Sequence, residues 1–146
     1  MKRIFIFRKA HAAVILIGCL MAFSSAMAQQ MPRRNVLRET NNEFFKTEEA
    51  RRIGNQVLAF QRCTGGWPKN IDMTQKMSNE ELAQILKEKS RRDDSTIDNN
   101  ATTMQMIYLA RLYRQTKDVR YRDAFRLAVE YLLSGQYENG GWPQFW

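Results

Sequence analysis

The densest group of side chains able to do chemistry is STIDNNAT, residues 95–102. These eight positions hold one carboxylate, two amides and three hydroxyls, and they directly precede an apolar segment. Such side chains can cap a helix, because their oxygens accept hydrogen bonds from the free N–H groups of the first turn. A cap uses one or two of them, so the remaining oxygens are candidates for a binding site.

The amino terminus predicts export. Four basic residues and an apolar run over residues 12–23 precede an Ala-Met-Ala triplet that ends at residue 28, as in a secretory signal. We predict a signal peptide over residues 1–28 and a secreted or periplasmic protein. The apolar run is too short for the roughly twenty residues of a membrane-spanning helix. The alternative is a lipoprotein held at the membrane through Cys19, which ends a Leu-Ile-Gly-Cys sequence.

Removal of this segment limits the chemistry of the mature chain. The one histidine, His11, lies within it, which excludes a Ser-His-Asp triad and histidine-ligated zinc. A bound metal would be a hard cation, calcium or magnesium, on carboxylate and amide oxygens. Cys63 is the one remaining thiol, and we expect it to be buried as a small apolar residue.

The predicted mature chain keeps 19 basic and 15 acidic residues, a net charge of +4. This excess favours an acidic partner. We predict an acidic polysaccharide and no nucleic acid, because the chain has an export signal and no dense run of lysine and arginine.

The remaining patterns predict an all-α domain. Thr47 caps one helix, and Ser78 with Glu81 forms a capping box for a second. Two longer helices are predicted over residues 101–116 and 119–134, the latter ended by a glycine. No stretch alternates apolar and polar residues as a strand does. We predict a flexible lead-in over residues 29–43, which contains Pro32, Arg33, Arg34, Asn41 and Asn42, and a folded domain over residues 44–146.

An internal repeat links these helices. QRCTGGWPK at residues 61–69 matches QYENGGWPQ at residues 136–144, an offset of 75 residues, and each copy follows a predicted helix. We interpret GGWP as a turn that joins adjacent helix pairs, because paired glycines permit positive φ and proline stops the helix. The alternative places Trp67 or Trp142 on the floor of a sugar-binding cleft.

Three blocks carry a resemblance to a known family: LAFQRCTGGWPKNIDM, STIDNNATTMQMIYLARLY and LLSGQYENGGWPQFW. In this order and at these distances they resemble the start of the catalytic domain of pectate lyases of polysaccharide lyase family ten, from residue 44 to the last. The resemblance implies a secreted pectate lyase that cleaves polygalacturonate by calcium-assisted β-elimination. It also implies an (α/α) toroid, here partial and built from helix pairs joined by GGWP turns.

The resemblance implies site residues as well. Asp98 matches an acidic position that binds calcium and the substrate carboxylate, and Asn99 beside it offers an amide to the sugar. Lys69 and Trp67, in and after the first GGWP, are predicted substrate-binding residues. The family's catalytic base is an arginine in a later part of the domain. We therefore expect it after Trp146, assign no catalytic residue here, and expect this chain to be incomplete and inactive alone.

Two other classes remain open at the level of the sequence. A non-catalytic toroid that binds acidic glycans would share the same helices and turns. The Q-x-x-x-G-G-W spacing is also similar to the repeat of terpene cyclases and prenyltransferase β-subunits, although the export signal opposes that assignment. For the complete protein we predict a monomer, with no membrane contact after signal cleavage unless Cys19 is lipidated.

Overall fold

The computed structural model describes residues 35–146, so the predicted signal peptide lies outside the described residues. The described chain is mostly helical, in agreement with the predicted class. Its α-helices are α1 (Glu48–Phe60), α2 (Asn79–Lys87), α3 (Thr103–Thr116) and α4 (Val119–Gly135). Short 3₁₀ turns occur at Val36–Arg38, Phe44–Lys46, Glu88–Ser90 and Asp98–Asn100. None of the described helices is long and apolar enough to cross a membrane.

Side-chain caps fix where the helices begin. The Thr47 hydroxyl accepts from the Ala50 N–H at 3.2 Å and starts α1, as predicted. At α2 the Ser78 hydroxyl accepts from the Glu81 N–H at 3.2 Å, and the Glu81 carboxylate accepts from the Ser78 N–H at 2.7 Å. The predicted capping box is therefore present. Together these bonds satisfy donors that the helices themselves leave free.

α3 begins at Thr103, two residues later than predicted. The cause is the backbone before it: Asn99, Asn100 and Thr102 all have positive φ, near 60°. A residue in that conformation cannot continue a right-handed helix. The polar stretch therefore forms an irregular connection into α3.

The hydrophobic core lies between α1, α3 and α4. Its centre consists of side chains with at most 1% of their surface exposed, including Phe45, Ile53, Val57, Tyr108 and Leu112. The Tyr108 hydroxyl donates to the Ala50 carbonyl at 3.0 Å, so the polar tip of this buried ring has a partner. Packing on both α1 and α4 explains why the apolar positions of α3 are spread around the helix.

Part of the segment predicted to be a flexible lead-in is packed. Leu37 is 5% exposed and joins the core. The Arg111 guanidinium of α3 donates to the Glu39 carbonyl at 2.6 Å. From Asn35 onward this segment is therefore folded against the helices, because its apolar residues find a surface there.

Two short strands modify the all-α prediction. β1 (Trp67–Pro68) and β2 (Ser95–Thr96) pair in an antiparallel register, with Trp67 opposite Thr96 and Pro68 opposite Ser95. Two residues are too few to produce an alternating sequence pattern. This pairing brings the turn after α1 against the polar stretch that precedes α3.

Burial in the turn after α1 also differs from the prediction. Cys63 is exposed, with its Sγ 3.3 Å from the Ser90 carbonyl, so the predicted burial is wrong. The neighbouring Arg62 is buried instead, with 1% of its side chain exposed, and pairs with Asp94 at 2.8 Å and Glu88 at 3.0 Å. Those two carboxylates compensate the charge of Arg62 and make its burial possible.

Candidate functional site

An open cleft of about 470 Å³ lies between two segments that are distant in sequence. Ile97, Asp98 and Asn99, which follow β2, form one wall. Trp142, Pro143 and Gln144, at the end of the second repeat copy, form the other. The cleft therefore combines the polar stretch with a GGWP turn.

The two repeat copies have the same hydrogen-bonded turn. In each, a glutamine amide donates to a glycine carbonyl four residues later, and that glycine has positive φ. In each, the tryptophan indole donates at 2.7 Å to the carbonyl ten residues earlier in the preceding helix. The equivalent pairs are Gln61 to Gly65 and Gln136 to Gly140, then Trp67 to Val57 and Trp142 to Leu132. Every pair keeps the offset of 75 residues, so the sequence repeat is also a repeat of structure.

The two tryptophans differ in exposure. Trp67 has 0% of its surface exposed and belongs to the core, so the structure gives it a packing role in place of the predicted substrate contact. Its indole N–H donates to the Val57 carbonyl of α1, and its backbone pairs with β2. Trp142 is 38% exposed and lines the cleft, so the second copy supplies the accessible ring.

The Asp98 carboxylate is the charged centre of the cleft. Its Oδ2 accepts from the Lys69 ammonium at 2.6 Å and from the Gln144 amide at 2.9 Å. Its Oδ1 accepts from the Asn99 N–H at 2.9 Å. The hydrogen bond from Lys69 is the main cause that lowers the pKa of Asp98 below its ordinary value, and the bond from Gln144 adds to it. Asp98 is therefore an anion at neutral pH.

Two asparagines extend the polar surface beside this carboxylate. The Asn99 amide donates to the Asn70 amide oxygen at 2.9 Å, and both residues are exposed. Both have positive φ, at 54° and 61°, a conformation that asparagine tolerates better than most residues. Of the predicted site residues, the structure thus brings Lys69, Asp98 and Asn99 together, whereas the side chain of Trp67 is buried in the core.

The hydroxyls of the polar stretch hold the backbone in place. Ser95 Oγ lies 2.6 Å from Thr64 Oγ1, and Thr96 Oγ1 accepts from the Asp98 N–H at 3.1 Å. The fully buried Thr102 hydroxyl accepts from the Trp67 N–H at 3.0 Å and donates to the Thr96 carbonyl at 2.8 Å. Asp98 does not cap α3, which starts five residues later.

Sequence reasoning missed Gln144 and Phe145. Gln144 contacts Asp98, and the Phe145 ring lies 5.4 Å from the Lys69 ammonium. A signal for Gln144 is present in the repeat, where it occupies the position of Lys69 in the first copy. No comparable signal marks Phe145.

The donor chemistry here suits a hard cation only in part. Asp98 supplies a carboxylate and Asn99 an amide oxygen, which are ligand types that calcium prefers. Among residues 35–146 no group of three or more histidine, cysteine, aspartate or glutamate side chains is placed to hold a metal. The described residues therefore fit one side of a calcium site, and further oxygens would have to come from a bound ligand or from elsewhere in the protein.

Comparison with known proteins identifies relatives of this region. A family model described as pectic acid lyase matches residues 61–146. A family 10 polysaccharide lyase from Cellvibrio cellulosa is 34% identical with a TM-score of 0.56, and its structure covers 72% of this chain. A mutant of such an enzyme, in complex with trigalacturonic acid, is 33% identical with the same TM-score and coverage. This chain spans 30% of the length of either structure. No curated protein matches the chain.

Proposed function

The chain belongs to the pectic acid lyase family, and we propose that the whole protein is a secreted pectate lyase that cleaves polygalacturonate by β-elimination. The relative that binds trigalacturonic acid supports the substrate class. The proposal extends beyond the described residues, because the chain spans 30% of that relative. Export depends on the predicted signal peptide at residues 1–28.

The observation that carries the proposal is the Asp98 carboxylate, which pairs with Lys69 and lines an open cleft together with Trp142. The Lys69 side chain is 26% exposed and can offer its ammonium to a uronate carboxylate. The exposed face of Trp142 suits the apolar face of a pyranose ring. Asn99 and Asn70 can exchange hydrogen bonds with sugar hydroxyls. These groups match the charge, the flat face and the hydroxyls of a galacturonate unit.

In β-elimination a base removes the proton on C5, next to the uronate carboxylate, and the bond from C4 to the glycosidic oxygen breaks. We propose that Asp98, with Asn99, supplies protein oxygens to calcium. When bound, calcium would stabilise the negative charge that develops as the proton leaves. Lys69 neutralises part of the uronate charge and orients the ring. The base is not assigned to any of the described residues.

We propose the (α/α) toroid for the whole catalytic domain, with GGWP turns between successive helix pairs. The support is the repeated turn after α1 and α4, together with the similarity to the family 10 structures. In that arrangement the cleft lies where two repeat units meet.

The test is the release of unsaturated oligogalacturonates from polygalacturonate by the whole protein, followed by the ultraviolet absorbance of the new double bond. We expect Asp98→Asn to reduce the calcium-dependent rate by at least about 100-fold, because loss of a preorganised charged group typically has effects of this size. Asp123→Asn is the matched control, since Asp123 is exposed on α4 and pairs with Arg122. A full rate in Asp98→Asn would contradict the proposal. Tight binding without any ultraviolet product would favour a glycan-binding protein.

A further inference from the structure

Equivalent positions of the two repeat copies converge on one oxygen atom. Lys69 follows the first Trp-Pro and Gln144 follows the second, 75 residues later. Both side chains donate to Oδ2 of Asp98, Lys69 at 2.6 Å and Gln144 at 2.9 Å. Asp98 belongs to neither copy. The carboxylate therefore lies at the junction of the two repeats and is held by the same repeat position from each.

The hydrogen-bond count on Asp98 shows which oxygen is left for a ligand. A carboxylate oxygen has two lone pairs, and the two donors occupy those of Oδ2. Oδ1 accepts from the Asn99 N–H, so among the described contacts one of its lone pairs remains. The two hydrogen bonds from Lys69 and Gln144 to Oδ2, called the clamp below, thus orient the carboxylate. They leave Oδ1 as the oxygen that can bind a ligand.

Gln144 is itself fixed by its backbone. Its carbonyl accepts from the Thr96 hydroxyl, and that hydroxyl accepts from the Asp98 N–H at 3.1 Å. Gln144 therefore contacts both the side chain of Asp98 and the residue that positions the Asp98 backbone. Ordering the exposed Gln144 side chain costs rotamer entropy, and its hydrogen bond to Asp98 offsets that cost.

The difference in charge between the two positions matters for binding. Lys69 balances the single charge of Asp98, whereas Gln144 adds a donor without adding charge. A lysine at both positions would give this cluster a net positive charge and oppose a cation at Oδ1. The amide thus holds the carboxylate in place without a second positive charge.

We infer that Gln144 is a positioning residue that, with Lys69, clamps Oδ2 of Asp98 and leaves Oδ1 free for a ligand in the cleft. The clamp rests on the geometry of Asp98, and it rests on the proposed function only for the identity of the ligand. It predicts that the two clamp positions are exchangeable, because they are equivalent in the repeat.

The test is a carbon-detected NMR titration of the Asp98 carboxyl, combined with calorimetric binding of trigalacturonate in the presence of calcium. In Gln144→Met the donor is lost at similar side-chain length, so we expect the Asp98 pKa to rise and the affinity to fall about tenfold. The exchange variant, Lys69→Gln with Gln144→Lys, restores two donors and one positive charge at Oδ2, so it should bring the Asp98 pKa back close to wild type. Gln75→Met is the matched control, because Gln75 donates to Asp72 outside the cleft and should leave Asp98 unchanged.

The Asp98 pKa and the trigalacturonate affinity of these variants decide whether Gln144 positions Asp98. An Asp98 pKa that is unchanged in Gln144→Met overturns it, as does an exchange variant that behaves no better than Gln144→Met. Lower stability with unchanged pKa and affinity would show that Gln144 has a structural role alone, and would also overturn it. If the pKa responds as expected while wild type binds no trigalacturonate, the clamp stands and the proposed function fails.

Discussion

At the residue scale, the polar side chains of residues 95–102 divide by chemistry. A hydroxyl both donates and accepts, so it can join two backbone groups in a space that excludes water. Thr102 does this between β1 and β2 while fully buried. A carboxylate accepts only and is costly to bury, so Asp98 remains in the cleft with donors around it. The hydroxyls of Thr96 and Thr102 therefore bond to the backbone and stabilise the fold, whereas Asp98 and Asn99 line the cleft.

Thr102 gives a stability prediction at this scale. Thr102→Val keeps the β-branched shape but removes the hydroxyl, which leaves the Trp67 N–H and the Thr96 carbonyl without this partner. We expect a loss of about 1–3 kcal/mol in the free energy of unfolding. Thr102→Ser keeps the hydroxyl and should cost about 1 kcal/mol or less, for one methyl group. Urea unfolding of both variants measures the difference, and a valine variant as stable as the serine variant would refute the bridging role.

At the element scale, one turn occurs twice in different surroundings. Both copies place a glycine at positive φ, 96° at Gly65 and 84° at Gly140. A Cβ added at Gly65 would lie 2.3 Å from the Leu127 carbonyl oxygen of α4. At Gly140 nothing lies within 4 Å. The first copy is packed against α4, whereas the second is open.

The two glycines therefore form a matched pair for mutation. Gly140→Ala should cost about 1–2 kcal/mol, the strain of a left-handed alanine. Gly65→Ala carries the same strain and a clash with backbone atoms that cannot move aside, so we expect about 3 kcal/mol or more. Thermal unfolding of the two variants provides the comparison. Equal losses would mean that the packing of the first turn on α4 is not as described.

These contrasts explain how far the sequence predicts the structure. Caps at Thr47 and Ser78 are local, so short motifs located the starts of α1 and α2. The family resemblance suggested Asp98 and Asn99 as site residues, with Lys69 as a further candidate, and in the structure Lys69 contacts Asp98. The different exposure of Trp67 and Trp142 was not predictable, because both follow the same Gly-Gly pair and only tertiary packing places one of them in the core. The positive φ of Thr102 was not predictable either, since threonine rarely adopts it.

At the scale of the described molecule, the central feature is that the Asp98 carboxylate is contacted from two other parts of the chain that are distant in sequence. Lys69 comes from the first turn, Asp98 from the connection before α3, and Gln144 from the second turn. Their meeting depends on the β1–β2 pair and on the packing of α3 against α4.

The most direct measurement is an NMR titration of the folded chain with trigalacturonate in the presence of calcium. We predict that the largest amide shifts fall on residues 69–70, 97–99, 142 and 144, and that Asp98→Asn abolishes them. The Asp123→Asn control should retain them, because Asp123 lies on α4 with Arg122 as its partner. Shifts that cluster elsewhere, or that persist unchanged in Asp98→Asn, would contradict the assignment of this cleft as a galacturonate site.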